Sequence, residues 1–181
     1  VAYDTVWHTG LLVKVCRCLP IWFVRLVELL LRNRRFRVHM GDDTSRWRNQ
    51  HNGLPQGSVL APTLFNIYTN DLPSTSCRRF VYADDVCMAH RATTLTELEC
   101  TLTADLARIT EYCSRWRLKP SVTKTVSSVF HLHNASASRE LEVTMNGQRL
   151  RHEPFPCYLG VALDRALTYR EHLTKTAKKL A

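Results

Sequence analysis

Apolar positions along the chain fall into two periodicities, and their alternation sets the expected architecture. From Asp4 to Cys18, Val6, Leu11, Leu12 and Val15 recur at helical spacing; Leu19-Pro20 breaks the run, and Pro20 to Leu31 reads as a second helix. Arg34 to Met40 instead alternates with period two. Phe36, Val38 and Met40 fall on one side and Arg35, Arg37 and His39 on the other, which predicts a strand whose cationic face meets phosphates or simply water. Gly53 to Gly57 reads as a loop and Ser58 to Asn70 as a helix, with Pro62 in its first turn, where a missing N–H has no partner to lose.

Arg79 to Ala89 predicts a hairpin, with Phe80, Val81 and Tyr82 before a tight turn and Val86, Cys87 and Met88 after it. Thr94 and Glu97 form a capping box at the start of a long helix running to Arg117. Leu95, Leu98, Leu102, Leu106, Ile109, Cys113 and Trp116 line one stripe of it and belong to a core. Beyond Pro120 the pattern is mostly β. Val126–Leu132, Leu141–Met145, Arg149–Arg151 across a Met-Asn-Gly-Gln turn, and Cys157–Leu163 read as strands, with a helix from Thr168 onward. Helices and strands in this order predict an α+β fold, without repeats or low-complexity linkers.

Composition narrows the class. The chain has 181 residues, 45% of them hydrophobic, with only 6 Gly and 7 Pro, so it can bury a substantial core and is neither disordered nor collagen-like. Its net charge of +9 is uneven: residues 1–50 hold nine basic and four acidic side chains, residues 51–100 three and five, and residues 101–181 thirteen and seven. A cationic protein with an acidic centre suits a polyanion-binding enzyme that keeps metal-binding carboxylates inside its cleft; scattered solvated charge gives the same counts. Seven cysteines, an odd number set in apolar runs, read as reduced, buried thiols, and their spacing is not that of a zinc site. Ile21–Leu31, the longest apolar stretch, contains Arg25 and Glu28 and is too short to span a bilayer.

Two adjacent aspartate pairs differ in their surroundings. Gly41-Asp42-Asp43-Thr44 lies in polar, basic sequence and reads as a turn. Asp84-Asp85 sits between the apolar strands of the predicted hairpin, where buried carboxylates would repel each other unless a divalent cation compensates them. Magnesium accepts carboxylate oxygens while leaving positions for phosphates; a well-solvated Asp-Asp turn is the alternative.

Gly53-Leu54-Pro55-Gln56-Gly57-Ser58-Val59-Leu60-Ala61-Pro62, followed by Phe80-Val81-Tyr82-Ala83-Asp84-Asp85, resembles the reverse transcriptase domain of non-LTR retrotransposons. Trp116-Arg117-Leu118, Lys124-Thr125, Tyr158-Leu159-Gly160-Val161, Leu163-Asp164 and His172 follow in the family's order, and Ala2-Tyr3-Asp4-Thr5-Val6-Trp7-His8 opens it. The resemblance covers nearly the whole chain and is strongest to the jockey-like elements of arthropods. It implies a right-hand polymerase palm over residues 1–167, a small antiparallel sheet backed by helices, with the start of a thumb or connection helix at residues 168–181. Asp84 would bind catalytic Mg²⁺ or Mn²⁺, with Asp85 beside it. Tyr82 and Ala83 would lie under the primer end, and Pro55, Gln56 and Gly57 against nucleotide and template. Lys124 would stand near the leaving pyrophosphate, although a lone lysine is also an ordinary surface charge. Leu159 and Gly160 would belong to a strand gripping the primer, or simply pack in the core; Arg35 and Arg37 would contact primer or template. Where the family commonly has Asn three residues before that lysine, this chain has Ser121.

Tyr3 matches the aromatic that excludes a ribose 2′-OH and so selects deoxynucleotides. The same match places the family's first catalytic aspartate three residues before Val1, so the chain is expected to be a slice of a larger polymerase, inactive in isolation. The implied activity is RNA-directed DNA synthesis by two-metal nucleotidyl transfer, with an RNA template, a DNA primer and deoxynucleoside triphosphates as partners and no membrane. The implied location is an intracellular retrotransposon ribonucleoprotein, nuclear or cytoplasmic. A catalytically inactive, nucleic-acid-binding remnant of such an element is the alternative. Oligomeric state is not legible.

Overall fold

In the computed structural model, which describes residues 2–180, the first predicted helix is interrupted. Val1 and Ala181, the ends of the two predicted segments, lie outside the described residues. Ala2–Thr5 forms α1 and His8–Cys18 forms α2, with Trp7 extended between them. The break has a partner: Val6 O accepts the Gly53 N–H at 2.8 Å, Tyr3 O accepts the Leu54 N–H at 2.9 Å, and Trp7 bridges Asn52. Those long-range bonds take the carbonyls a continuous helix would have used for itself. Ile21–Leu31 forms α3 as expected, begun by Pro20, whose fixed φ of −65° and missing N–H suit that position.

The expected strand over 34–40 is instead part of an exposed ribbon. It contains β1 (Arg35–Phe36), β2 (His39–Met40), β3 (Asp43–Thr44) and β4 (Arg48–Asn49), with β2 paired to β3 and β1 to β4, both antiparallel. Phe36, Val38 and Met40, the apolar side of the alternation, are all exposed, because two strands alone leave both faces in solvent. Leu60–Thr69 forms α4, burying Ala61, Leu64, Phe65 and Tyr68, with Pro62 in its first turn.

Arg78–Tyr82 (β5) and Asp85–Ala89 (β6) form the predicted hairpin. It is not buried, contrary to expectation: Phe80, Val81, Tyr82 and Val86 are exposed, since this sheet too has only two strands among the described residues. Leu95–Arg115 forms α5. Thr94 Oγ1 accepts the Glu97 N–H at 3.3 Å, as a capping box requires, while the Glu97 carboxylate accepts from the Thr93 hydroxyl at 3.4 Å. Arg117, at φ +55°, ends the helical stretch as the Leu118 N–H turns back to Cys113 O at 2.8 Å.

The β segments after Pro120 are shorter than predicted. Val126–Ser127 (β7) pairs in parallel with Arg151–His152 (β10), and Thr144–Met145 (β8) pairs with Gln148–Arg149 (β9) across the expected turn, where Asn146 and Gly147 both have positive φ. The predicted strand Cys157–Leu163 is a hairpin instead: Cys157–Tyr158 (β11) pairs with Val161–Ala162 (β12). Leu159 and Gly160, at φ +47° and +83°, form its turn. Arg170–Leu180 forms α6.

Two compact units share the chain. One holds residues up to Pro73, Val81–Asp85 and Glu111–Lys119; the other holds Ser74–Phe80, Val86–Thr110 and residues 120–180. In the first, Val6, Leu11, Val15, Val27, Leu54, Leu64 and Phe65 make a core, each such side chain contributing about 1.5–3 kcal/mol on burial. The second is built on Leu106, Leu141, Val143, Met145 and Leu150. Of the cysteines only Cys77 and Cys113 are buried, and burial raises both thiols; Cys16, Cys18, Cys100 and Cys157 are exposed, against expectation. Cys16 falls off the α2 stripe that buries Leu11 and Val15, whereas Cys18 lies on that stripe but at the last residue of the helix, where it is exposed. No described helix is long and apolar enough to cross a membrane.

Candidate active site

The Gly53–Gly57 loop is fastened where it meets α1 and α2. Besides the two backbone bonds that break the first helix, Gly53 O accepts from His8 Nε2 and from Arg34 Nη1, each at 2.8 Å. Only glycine fits there: φ is +88°, and an added Cβ would stand 2.7 Å from Asp4 O. Leu54 is buried behind the turn, and Gln56 Nε2 donates to Asp4 Oδ1 at 2.7 Å. Tyr3, on α1, stacks on Phe65 of α4 at 4.4 Å between ring centroids and 12° between planes, which fixes its orientation. The structure therefore brings Tyr3, Pro55, Gln56 and Gly57 into one neighbourhood. Gly57, at φ +83°, has open space around it.

Asp84 and Asp85 belong to the same unit as Tyr3 and Gln56. They stand at the tip of the β5–β6 hairpin, where Ala83 takes the turn at φ +51°, a conformation costly for a side chain with a Cβ. Both carboxylates are exposed, so the expected burial penalty does not arise in this chain. Their oxygens are the hard donors that Mg²⁺ prefers. Among the described residues no group of three or more His, Cys, Asp or Glu is arranged to hold a metal ion.

Arg35 and Arg37 lie on the exposed ribbon of that unit. Lys124, Leu159 and Gly160 belong to the other unit. Lys124 is exposed on a turn organised by Ser121, whose carbonyl accepts the Lys124 and Thr125 N–H groups at 3.3 and 3.0 Å and the Thr125 hydroxyl at 2.8 Å. These bonds use the main chain of Ser121, while its hydroxyl, among the described residues, meets only the Thr123 hydroxyl at 3.0 Å. Leu159 is half exposed in the β11–β12 turn, neither within a strand nor in a core, because Gly160 supplies a positive φ there.

Sequence reasoning missed a buried cation. Lys14 is 3% exposed; its Nζ donates to Tyr68 O and the Tyr112 hydroxyl, each at 2.6 Å, and to the Asp71 carboxylate, and lies 3.7 Å from the centre of the Trp116 ring. Burial lowers the lysine's pKa despite its partner. Partial burial alone would raise Asp71, but hydrogen bonds from Lys14 and Tyr112 carry it below its usual value. The signal was present: Lys14 occupies the α2 stripe of Leu11 and Val15, where a lysine is out of place unless paired.

Residues 1–163 match the family of the reverse transcriptase (RNA-dependent DNA polymerase). The chain is 33% identical over 98% of its length to a probable RNA-directed DNA polymerase from transposon BS of Drosophila melanogaster. It is also 33% identical over 96% to the RNA-directed DNA polymerase from mobile element jockey of Drosophila funebris. To a probable RNA-directed DNA polymerase from transposon X-element of Drosophila melanogaster it is 30% identical over 99% of its length. It spans about a fifth of the length of each of these relatives. A match across nine-tenths of the residues, with the Gly53–Gly57 loop folded against Tyr3 and the Asp84 hairpin intact, places this chain in the reverse transcriptase family.

Proposed function

We propose that this chain is the palm of an RNA-directed DNA polymerase of a non-LTR retrotransposon, residues 1–167, with residues 168–181 starting a thumb or connection helix. The observation that carries the reading is the seating of Tyr3. Its ring is stacked on Phe65 beside the loop that Gly53 holds to α1, a seating from which it would stand against a ribose 2′-hydroxyl. Pro55, Gln56 and Gly57 would bound the incoming deoxynucleoside triphosphate, with Gly57 leaving room for close approach. Tyr82 and Ala83 would support the DNA primer end, and Arg35 and Arg37 would meet the RNA template.

Asp84 and Asp85 would hold Mg²⁺ or Mn²⁺, which when bound stabilises the attacking and leaving oxygens of nucleotidyl transfer. In that reaction the primer 3′-oxygen bonds to the α-phosphorus and pyrophosphate departs. Lys124 would place a cation, or a proton, at the departing oxygen. Leu159 and Gly160 would contact primer from a turn. The setting is a retrotransposon ribonucleoprotein.

A second reading, nucleic-acid binding without catalysis, is favoured by the exposure of Asp84 and Asp85 without a third ligand among the described residues. Primer extension on an RNA template separates the two. In a full-length element polymerase carrying this chain, Asp84→Asn should lower extension by more than about a hundredfold while template binding persists. Undiminished extension would leave only the binding reading.

A further inference from the structure

The ribbon of β1 to β4 carries a feature the polymerase reading does not use. Phe36 pairs with Arg48 and His39 with Thr44, so residues 37 and 38 of one strand face residues 45, 46 and 47 of the other. One strand holds an extra residue, a β-bulge, closed by the Ser45 N–H to Val38 O at 2.9 Å and the Val38 N–H to Ser45 Oγ at 2.8 Å. Bulges re-aim the side chains beside them. Here the neighbour is Trp47, a residue 58% exposed. The guanidinium carbons of Arg37 and Arg35 lie 4.9 and 5.8 Å from its centre.

Charge says what such a ring meets. Residues 32–51 contain six arginines, no lysine and two aspartates, a bias toward the side chain that grips phosphate bidentately and stacks on flat rings. At the foot of the ribbon a cavity of about 460 Å³ is lined by His8, Arg34, Arg35, Asn49, Gln50 and His51, and Arg35 borders both it and Trp47. An aromatic ring, arginines along a strand and a polar cavity in series suit an unpaired polynucleotide, whose bases can stack while its phosphates are neutralised. A duplex offers no free base face to Trp47.

We propose that Trp47, with Arg35 and Arg37, forms a stacking platform for an unpaired stretch of RNA. The choice of RNA over DNA rests on the template assigned under the proposed function; the platform itself rests on the ribbon. Fluorescence anisotropy of a labelled oligouridine titrated with the 181-residue chain tests it. Trp47→Ala should weaken binding by about tenfold. Trp47→Phe should restore most of it, because stacking needs a ring and not an indole N–H. The Arg35→Gln/Arg37→Gln pair should reduce the slope of log affinity against log salt by about 1.4, as expected for two lost phosphate contacts, whereas Trp47→Ala should leave the slope unchanged.

Binding by Trp47→Ala within about twofold of the parent would overturn the platform. So would equal affinity for a matched RNA duplex, and tighter binding of oligodeoxyuridine would overturn the assignment to RNA. Asp84→Asn keeps this outcome distinct from that of the catalytic reading. Lost extension with intact Trp47→Ala binding rejects the platform alone, and intact extension with lost Trp47→Ala binding rejects catalysis alone.

Discussion

Two turns carry the family's signature, and the chain treats them oppositely. The Gly53–Gly57 loop is tied down by two backbone bonds, two side-chain donors on Gly53 O and the Gln56–Asp4 contact. The Ala83–Asp84 turn is held by its own two strands, with its carboxylates in solvent. Residues that would shape a nucleotide site are thus preorganised by folding, while those that would bind metal contribute little to it. Stability and activity should therefore separate between the two turns.

The largest expected effect lies in the fastened loop. Gly53→Ala forces a Cβ to within 2.7 Å of the Asp4 backbone at φ +88°, where the clash meets main chain that cannot rotate away. It should cost about 3 kcal/mol of unfolding free energy, read as a lower urea midpoint. Gly57→Ala is the control within the same loop: φ is +83° but the space is open, so only the conformational cost of about 1 kcal/mol should appear. Equal losses at the two glycines would mean that the fastening to α1 does not matter.

A carboxylate that does help hold its unit sharpens the contrast with Asp84. Asp105, 1% exposed on α5, accepts the Cys77 N–H at 2.7 Å and pairs with Arg108 at 3.3 Å. Burial alone would raise its pKa, but the hydrogen bonds from Cys77 and Ser76 carry it below the usual aspartate value, while the Cys77 thiol is pushed up to about 12. Asp105→Ala strands a buried N–H and should cost about 2 kcal/mol at neutral pH. Because the folded pKa is depressed, that contribution is present above the unfolded value of about 3.9 and is lost as pH falls through the folded one. Urea midpoints of parent and variant should therefore converge in acid; a gap that stays constant would rule out the ionised form as the stabilising one.

Much of this was legible where the pattern was local. Leu106, Ile109 and Cys113 on α5 and the Asn146-Gly147 turn follow from spacing and glycine chemistry alone. Failures came where distant partners decide. The break at Val6–Trp7 needs residues 52–54, and the apolar side of 34–40 stays exposed because no third strand covers it among the described residues. Leu159-Gly160 was misread as strand although Gly160 gave the cue. Of the candidate residues, the fold joins the surroundings of Tyr3 and Gln56 that the motif singled out, but apolar flanks suggested a burial for Asp84 that a two-stranded hairpin cannot supply.

The smallest effect is also the most telling. Asp84→Asn removes a charge from an exposed turn without removing a packed atom, so it should change unfolding free energy by less than about 0.5 kcal/mol. In a full-length polymerase the same substitution should remove extension. A stability loss comparable to that at Gly53 would show the hairpin tip to be fastened after all, by contacts its exposure does not reveal. A substitution silent in stability and large in activity is what carboxylates kept for a metal would require: in this chain water, not a packed core, surrounds the pair, so their mutual repulsion is tolerated without a cation.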